Sequence, residues 1–237
     1  PSMDTEYEAG VEMGRFFAEK GIKTAAIYGA FIPNPMHVYR VAGVLSGLGL
    51  SYDGATEEGE VVGKIFTDQS VDLSKISGDI QIVSYLQGYG DTTTDEINAA
   101  IQAKPEAFIS VGMATTFFTQ QLNAAGIEFS DIDSFTQSNG EAITNGKLVY
   151  LAGKYSSSVG PAFALVLNAI NGNVIRDEQG NAVSLSQNYQ VATDEATFDE
   201  FYKSDNGDNP IYNKETLDQI IGESVTFDEI NELVTLK

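Results

Sequence analysis

The sequence has 237 residues, of which 42% are hydrophobic and 20% charged, the profile of an ordinary globular protein. Its 13 Lys and Arg against 34 Asp and Glu give a net charge of −21, which argues against nucleic acid as a partner. With no cysteine and a single histidine, His37, it excludes disulfides, thiolate metal sites and two-histidine metal sites. We therefore expect no cofactor and no metal.

The first residues, PSMDTEYEAG, lack the basic and apolar regions of a signal peptide, and no apolar run reaches the ~18 residues of a membrane span. The sequence is therefore expected to be the soluble, mature or excised part of its protein. A cysteine-free acidic composition is common among exported bacterial proteins, although some cytosolic proteins share it.

The first half of the predicted domain begins with a helix, EYEAGVEMGRFFAEKG, that ends at Gly21. The apolar run TAAIYGAF follows and is typical of a buried central strand that opens into the loop FIPNP. MHVYRVAGVLSGLG is the second helix. The stretch 52–78 is acidic and Gly-rich, and we interpret it as an insertion or hairpin with a strand at VVGKIFT.

The second half resumes the alternation of strand and helix. DIQIVSYLQG, AFISVGM, IEFSDIDSF and KLVYLAGKY are predicted strands, and TTTDEINAAIQAK and TTFFTQQLNAAG are predicted helices. From residue 6 to residue 155 this pattern predicts an α/β fold, a doubly wound parallel sheet of about five strands with TAAIYGA inside it.

The remainder of the chain has too few elements for a domain of its own. SSSVGPAFALVLNAINGN is a predicted helix and SLSQNYQVAT a lone strand, followed by two short acidic helical patterns. SDNGDNP between those patterns is interpreted as a turn, because a calcium loop starting at Asp205 would need glutamate where Thr216 stands. We expect the helix Val159 to Ile170 and the strand Gln187 to Ala192 to expose apolar surface, or to bury it in a homodimer.

Candidate site residues follow the strands, because an open parallel sheet binds its ligand at the carboxyl ends of the strands. Charged and amide groups beside aromatic faces suit a polyhydroxylated or otherwise polar small molecule. The alternatives are an exposed Arg40, a solvated His37 at a helix start, an Asp133 that only caps a helix and a solvated Lys154. The candidates are Phe31, Asn34, His37, Arg40, Met113, Asp133 and Lys154.

Several motifs, taken in this order, resemble the C-terminal lobe of the type I periplasmic binding proteins and the related lac-repressor-type sugar sensors. They are RVAG at residues 40–43, an IDSF turn, NGKL at residues 145–148 and SVG at the start of a helix. The end of the chain also resembles sugar-uptake lipoproteins of low-GC Gram-positive bacteria. By this resemblance Arg40 would grip sugar hydroxyls and Asp133 would be the aspartate at the following strand end.

The resemblance also implies a division of the chain. Residues 1–155 would form a complete C-terminal-type lobe, and residues 156–237 a fragment of the other lobe with a C-terminal tail. About a hundred N-terminal residues of the family fold would be absent. Gly112-Met113 replaces the Asn-Asp pair usual in the family, which argues against a simple ribose- or galactose-type pocket.

The function so implied is a non-catalytic, extracytoplasmic solute-binding subunit of an ABC importer. It would take a sugar or similar polar solute in a cleft between two lobes and deliver it to a membrane permease. One alternative is the ligand-sensing domain of a transcriptional regulator or chemosensory receptor, although the charge of −21 opposes approach to DNA. The other alternative function is an α/β hydrolase. Its catalytic residues could come only from Ser, Asp and the single His, and the sequence has no nucleophile-elbow motif.

Overall fold

The centre of the molecule is a six-stranded sheet with the strand order β4-β1-β5-β6-β7-β8, seen in a computed structural model that describes residues 3–89 and 91–235. The first five strands in that order run parallel, and β8 is antiparallel to β7. The sequence prediction of a parallel sheet with TAAIYGA inside it is confirmed. The strands are β1 Thr24–Tyr28, β2 Ser51–Tyr52, β3 Ile76–Ser77, β4 Gln81–Leu86, β5 Ala107–Ser110, β6 Glu128–Ile132, β7 Leu148–Gly153 and β8 Gln190–Ala192.

Helices flank this sheet. Among the described residues, no helix is both long and apolar enough to cross a bilayer. β2 and β3 form a separate two-stranded antiparallel sheet. The helices are α1 Asp4–Glu19, α2 Pro35–Gly47, α3 Glu58–Asp68, α4 Asp91–Gln102, α5 Ala114–Phe117, α6 Thr119–Ala125, α7 Gln137–Asn145, α8 Val159–Ile170, α9 Glu195–Asn206, α10 Lys214–Asp218 and α11 Phe227–Thr235.

Central strands of a parallel sheet are covered on both faces, which is why they appear in the sequence as unbroken apolar runs. In β1 the four residues from Ala25 to Tyr28 are fully buried, and all four residues of β5 are buried. Because these five strands are parallel, their carboxyl ends lie at the same edge of the sheet, and the loops that follow them meet there.

Helices α1 and α2 cross with their backbones in contact, and glycine makes this possible. Gly10 and Gly14 on α1 face Gly43 and Gly47 on α2. A Cβ atom on Gly43 would lie 2.9 Å from the backbone nitrogen of Val11 and 3.0 Å from the Cα of Gly10, closer than real side chains approach. The two helices can therefore approach this closely only where these positions lack a side chain.

The predicted strand at VVGKIFT is wrong, because this segment lies inside the helix α3. Val61, Val62 and Ile65 are buried, while Gly63 between them is exposed. Burial at a spacing of three and four residues is the helical pattern. The acidic stretch 52–78 therefore packs one helix against the domain, between the antiparallel strands β2 and β3.

The expectation that the strand Gln187 to Ala192 exposes apolar surface is also wrong, because Ala192 is buried and Val191 is partly buried. β8 pairs with β7 in the main sheet, with Ala192 opposite Leu151 and Gln190 opposite Gly153. The chain thus leaves the sheet after β7 and returns to its edge after about forty residues. Residues before and after position 155 therefore contribute strands to the same sheet.

The prediction of exposed apolar surface on the helix is confirmed. On α8, Val159 and Ile170 are 70% and 75% exposed, and Phe163 and Val166 are also exposed. The opposite face of α8 packs through Ala164 into a small second apolar cluster with residues of the C-terminal helices. α8 therefore has one packed face and one uncovered apolar face.

Replacing Gly43 with alanine tests the helix crossing. We expect Gly43→Ala to lower the free energy of unfolding by about 2 kcal/mol in urea titrations, because backbone atoms cannot yield to the new methyl group. Gly63→Ala is the matched control, since nothing lies within 4 Å of a Cβ there and alanine favours the helix by roughly 0.5–1 kcal/mol. Equal effects of the two substitutions would contradict the close crossing.

Candidate functional site

The predicted site residues lie at or beneath the edge formed by the carboxyl ends of the parallel strands. Four of them join residues that were not predicted, in two groups. The aromatic patch consists of Phe31, Tyr89, Met113 and Phe117, from the loops after β1, β4 and β5. The Glu6 network consists of Glu6, Arg40, Lys154 and Tyr189. Asp133, after β6, follows the aromatic patch along the same edge.

The aromatic patch is a continuous exposed surface. The rings of Phe31 and Tyr89 are nearly parallel, with an interplanar angle of 10° and centroids 6.1 Å apart, and Tyr89 contacts Phe117 at 5.3 Å. The Tyr89 hydroxyl lies 3.7 Å from the sulfur of Met113. All four side chains are between 37% and 49% exposed. Large apolar groups left open to water beside one another are characteristic of binding surfaces.

Asn34 and His37 shape the loop that carries Phe31. The Asn34 side chain accepts a hydrogen bond from the Met36 backbone and so caps α2. His37 is buried, and its Nδ1 lies 3.0 Å from both the backbone nitrogen and the carbonyl oxygen of Phe31. Burial lowers the pKa of His37, so its ring is neutral at pH 7. Both residues position Phe31.

The Glu6 network is a buried ion cluster. Arg40 Nε donates to Glu6 Oε2 at 2.7 Å, and Lys154 Nζ donates to Oε1 at 3.0 Å. The Tyr189 hydroxyl donates to Glu6 Oε2 at 2.7 Å. Lys154 Nζ lies 4.3 Å from the centre of the Tyr189 ring. Burial alone would raise the pKa of Glu6, but Arg40, Tyr189 and Lys154 outweigh burial and hold that pKa below its usual value.

Arg40 is therefore placed differently from what the family resemblance implies. Besides Glu6, its Nη1 donates to the Val111 carbonyl at 2.9 Å and its Nη2 donates to Tyr189. Each nitrogen of the guanidinium has a protein partner, and the residue is only 6% exposed. Arg40 joins α1, α2 and the end of β5 beneath the site instead of standing open to a solute.

Asp133 and the deeper Asp131 hold the start of α5. Asp131 Oδ2 accepts hydrogen bonds from the backbone nitrogen and the hydroxyl of Thr115, both at 2.8 Å, and the same hydroxyl lies 3.3 Å from Asp133 Oδ2. Asp131 is fully buried, and burial raises its pKa to about 6 although the bonds from Thr115 oppose this. Asp133 is half-buried and accepts from the Ser134 backbone at 2.7 Å.

Four residues of the site are absent from the sequence prediction. Tyr89 follows β4, and the rule that ligands bind after parallel strands would have found it had the loop after DIQIVSYLQG been included. Phe117 lies one turn into the helix after β5. Glu6 and Tyr189 come from opposite ends of the chain, so no local pattern links them to Arg40.

The described residues of the site form neither a metal centre nor a Ser-His-Asp triad. In the described parts of the chain no group of three His, Asp or Glu side chains is placed to hold a metal ion. In a Ser-His-Asp triad the histidine donates a hydrogen bond from Nδ1 to a carboxylate. His37 Nδ1 instead lies beside the backbone of Phe31. The site therefore combines an apolar platform with half-buried polar groups.

Several solved structures share this fold, among them two periplasmic binding proteins. An ABC transporter periplasmic solute binding protein from Actinobacillus succinogenes 130z, with bound D-allose, matches at a TM-score of 0.53 and 15% identity, over 83% of this chain and 61% of its own. The periplasmic component of an arabinose ABC transporter from Shewanella sp. ANA-3, bound to L-arabinofuranose, matches at a TM-score of 0.54 and 16% identity, over 84% of this chain and 60% of its own. A twin-arginine translocation pathway signal protein from Burkholderia phytofirmans matches at a TM-score of 0.59 and 15% identity, over 88% of this chain and 61% of its own.

The fold is therefore that of the type I periplasmic binding proteins, as the sequence resemblance predicted. The chain spans about three fifths of the length of these solved structures. No protein-family model matches the sequence, and no curated protein matches it. At identities near 15% the likeness establishes the architecture, while ligand and partners depend on the residues of this chain.

Removing Arg40 tests the Glu6 network. Arg40→Ala leaves a buried carboxylate with Lys154 as its remaining cation, and we expect it to lower the free energy of unfolding by about 3 kcal/mol in urea titrations. Lys214→Ala is the control, because its ion pair with Asp218 is exposed and contributes about 0–0.5 kcal/mol. An Arg40→Ala protein as stable as the parent would mean that this cluster does not hold the fold together.

Asp131 should make stability depend on pH. Its folded pKa of about 6 lies above its ordinary value of 3.8, so its contribution is most favourable in acid and is lost as the pH rises through 6. Asp131→Asn removes this titration. Between about pH 4.5 and 7.5, the unfolding free energy of the variant relative to the parent should rise by about 2 kcal/mol in urea titrations. A difference that is constant over this range would contradict an elevated pKa.

Proposed function

We propose that this chain is part of an extracytoplasmic solute-binding protein of an ABC importer. It binds a sugar or similar neutral polar solute at the carboxyl ends of its parallel strands and delivers it to a membrane permease. One observation carries the proposal, namely the exposed aromatic patch beside Asp133 at the edge where proteins of this architecture bind ligands. Aromatic faces cover the apolar face of a sugar ring, and carboxylates accept hydrogen bonds from its hydroxyls.

The charges at the site favour a neutral solute. Arg40 and Lys154 contribute two positive charges, and Glu6 and Asp133 contribute two negative charges. Asp131 beneath them adds a negative charge above pH 6, and the whole chain carries −21. An anionic solute would therefore meet repulsion at long range and no excess positive charge at the site.

The experiment is a binding screen by saturation-transfer NMR and calorimetry, with D-allose, L-arabinose, D-glucose and D-galactose, and with glucose 6-phosphate as the anionic comparison. We expect at least one neutral sugar to bind and the phosphate ester not to bind. Phe31→Ala should weaken that affinity about tenfold, or about 1.4 kcal/mol. Phe163→Ala, which removes an exposed phenylalanine of α8 that does not belong to the aromatic patch, should leave the affinity unchanged.

If none of the neutral sugars binds at millimolar concentration, the proposal of a sugar-binding site fails. If a sugar binds and Phe163→Ala weakens it as much as Phe31→Ala does, the ligand lies elsewhere on the chain. Both outcomes are read from the same titrations, so no further variant is needed to distinguish them.

A second candidate is a solute sensor that reports to a membrane receptor. One structure with this fold is the complex of the TorS sensor domain with TorT, at a TM-score of 0.54 and 12% identity, over 84% of this chain and 60% of that one. Deleting the gene separates the two functions. Loss of sugar uptake indicates an importer subunit, whereas normal uptake with a lost transcriptional response to the sugar indicates a sensor.

A further inference from the structure

The hydroxyl of Thr115 lies between two carboxylates. Its Oγ1 is 2.8 Å from Asp131 Oδ2 and 3.3 Å from Asp133 Oδ2. A threonine hydroxyl has one hydrogen to donate and two lone pairs that accept. Thr115 can therefore donate a full hydrogen bond to only one of the two aspartates at a time, and the protonation state of Asp131 decides which one.

When Asp131 is charged, the Thr115 hydroxyl donates to it. Asp131 is fully buried, so its charge needs every available donor, and its Oδ2 is the nearer of the two acceptors. Asp133 is half-buried at the carboxyl-end edge of the sheet, and its other oxygen, Oδ1, accepts from the Ser134 backbone. Asp133 Oδ2 then keeps both of its lone pairs for a solute.

When Asp131 is protonated, the proton belongs on Oδ2, the oxygen beside Thr115. On Oδ1 the proton would have to be donated to Ser110 Oγ, because the other group bonded to Oδ1 is the Ile132 backbone nitrogen, itself a donor. Ser110 is fully buried, and its hydrogen bonds within the described part of the chain include no second acceptor for its own hydrogen. On Oδ2 the acid donates to Thr115 Oγ1, and Thr115 turns its hydrogen to Asp133.

The other titratable and charged groups around Asp131 have different contacts. Burial, and to a smaller extent the charge of Asp133, raises the pKa of Asp131 to about 6. Burial also raises the pKa of Tyr28 on β1, so its hydroxyl stays neutral. Arg40 and His37 of α2 lie beside the end of β5. An arginine keeps its charge, and the His37 ring is bonded to the loop after β1, so protonation of His37 acts on that loop.

Resting on the proposed function, we propose that the Thr115 hydroxyl is a proton-controlled switch that sets how strongly Asp133 holds the solute. With Asp131 charged, Asp133 Oδ2 offers both lone pairs to the hydroxyls of a sugar. With Asp131 protonated, the hydrogen of Thr115 occupies one of these lone pairs, and the sugar is held less tightly. The domain therefore binds its solute more tightly at neutral pH than at acidic pH, and by linkage binding releases protons.

The experiment titrates D-allose, L-arabinose, D-glucose and D-galactose into the full chain by calorimetry at pH 5 and at pH 8. A sugar that binds should do so about fourfold more weakly at pH 5, which corresponds to one hydrogen bond of ordinary strength. Near pH 6, titrations in two buffers with different heats of ionisation should show release of about a third of a proton on binding.

Thr115→Val tests the hydroxyl itself, because valine has a similar shape and keeps the backbone nitrogen that donates to Asp131. Its affinity should be the same at pH 5 and at pH 8. Thr115→Ala also lacks the hydroxyl and should behave like the valine variant, which provides a second test should valine disturb the fold. Thr115→Ser is the matched control, since it restores the hydroxyl and should restore the fourfold difference. Urea titrations at both pH values check that each variant is folded.

The results separate this inference from the proposed function. Equal affinity of the parent at pH 5 and pH 8 overturns the switch and leaves sugar binding intact. A pH difference that persists in both variants without the hydroxyl overturns the role of Thr115 and assigns the titration to another group, such as His37. If none of the four sugars binds at either pH, the proposed sugar-binding site itself fails, and the switch fails with it.

Discussion

The buried carboxylate of Glu6 is the point at which the separate parts of the domain are joined. It lies on α1 and binds Arg40 of α2, Lys154 at the end of β7 and Tyr189 just before β8. Removing so much charge from water is unfavourable unless every group finds a partner. The geometry of the cluster therefore fixes where α1, α2 and the two ends of the excursion after β7 lie relative to one another.

The cluster in turn depends on the glycine crossing of α1 and α2. Glu6 lies one turn before Gly10, and Arg40 lies one turn before Gly43, so the ion pair sits at the end of the crossing. A side chain at either glycine would separate the helices and lengthen the 2.7 Å contact between Arg40 and Glu6. Backbone packing and buried charge are thus one constraint, since the glycines set the distance that the ions require.

Features that depend on neighbouring residues could be predicted from the sequence, and features that depend on residues far apart in the chain could not. β1 and the other buried strands could be predicted because burial on both faces leaves an apolar run in the local sequence. The strand prediction fails at α3 because the short apolar run around Gly63 is equally compatible with a buried strand, and only the packed structure shows which residues face the core. For Arg40, the local motif indicates its position on α2, but its orientation is set by Glu6 and Tyr189, which lie 34 and 149 residues away. A motif can locate such a residue and still mispredict what it binds.

The same network links the carboxyl-end edge of the sheet to the segment that carries α8. The chain leaves the sheet after Lys154 and returns at Tyr189, and both residues hold Glu6 while their side chains contact each other. A rotation of the 155–188 segment relative to the sheet would have to stretch one of these contacts, and Arg40 would transmit the strain to the Val111 carbonyl at the end of β5. Val111 is two residues from Met113 of the aromatic patch. The two ends of this segment, the buried carboxylate of Glu6 and the strand end next to the aromatic patch are therefore joined by one continuous series of contacts.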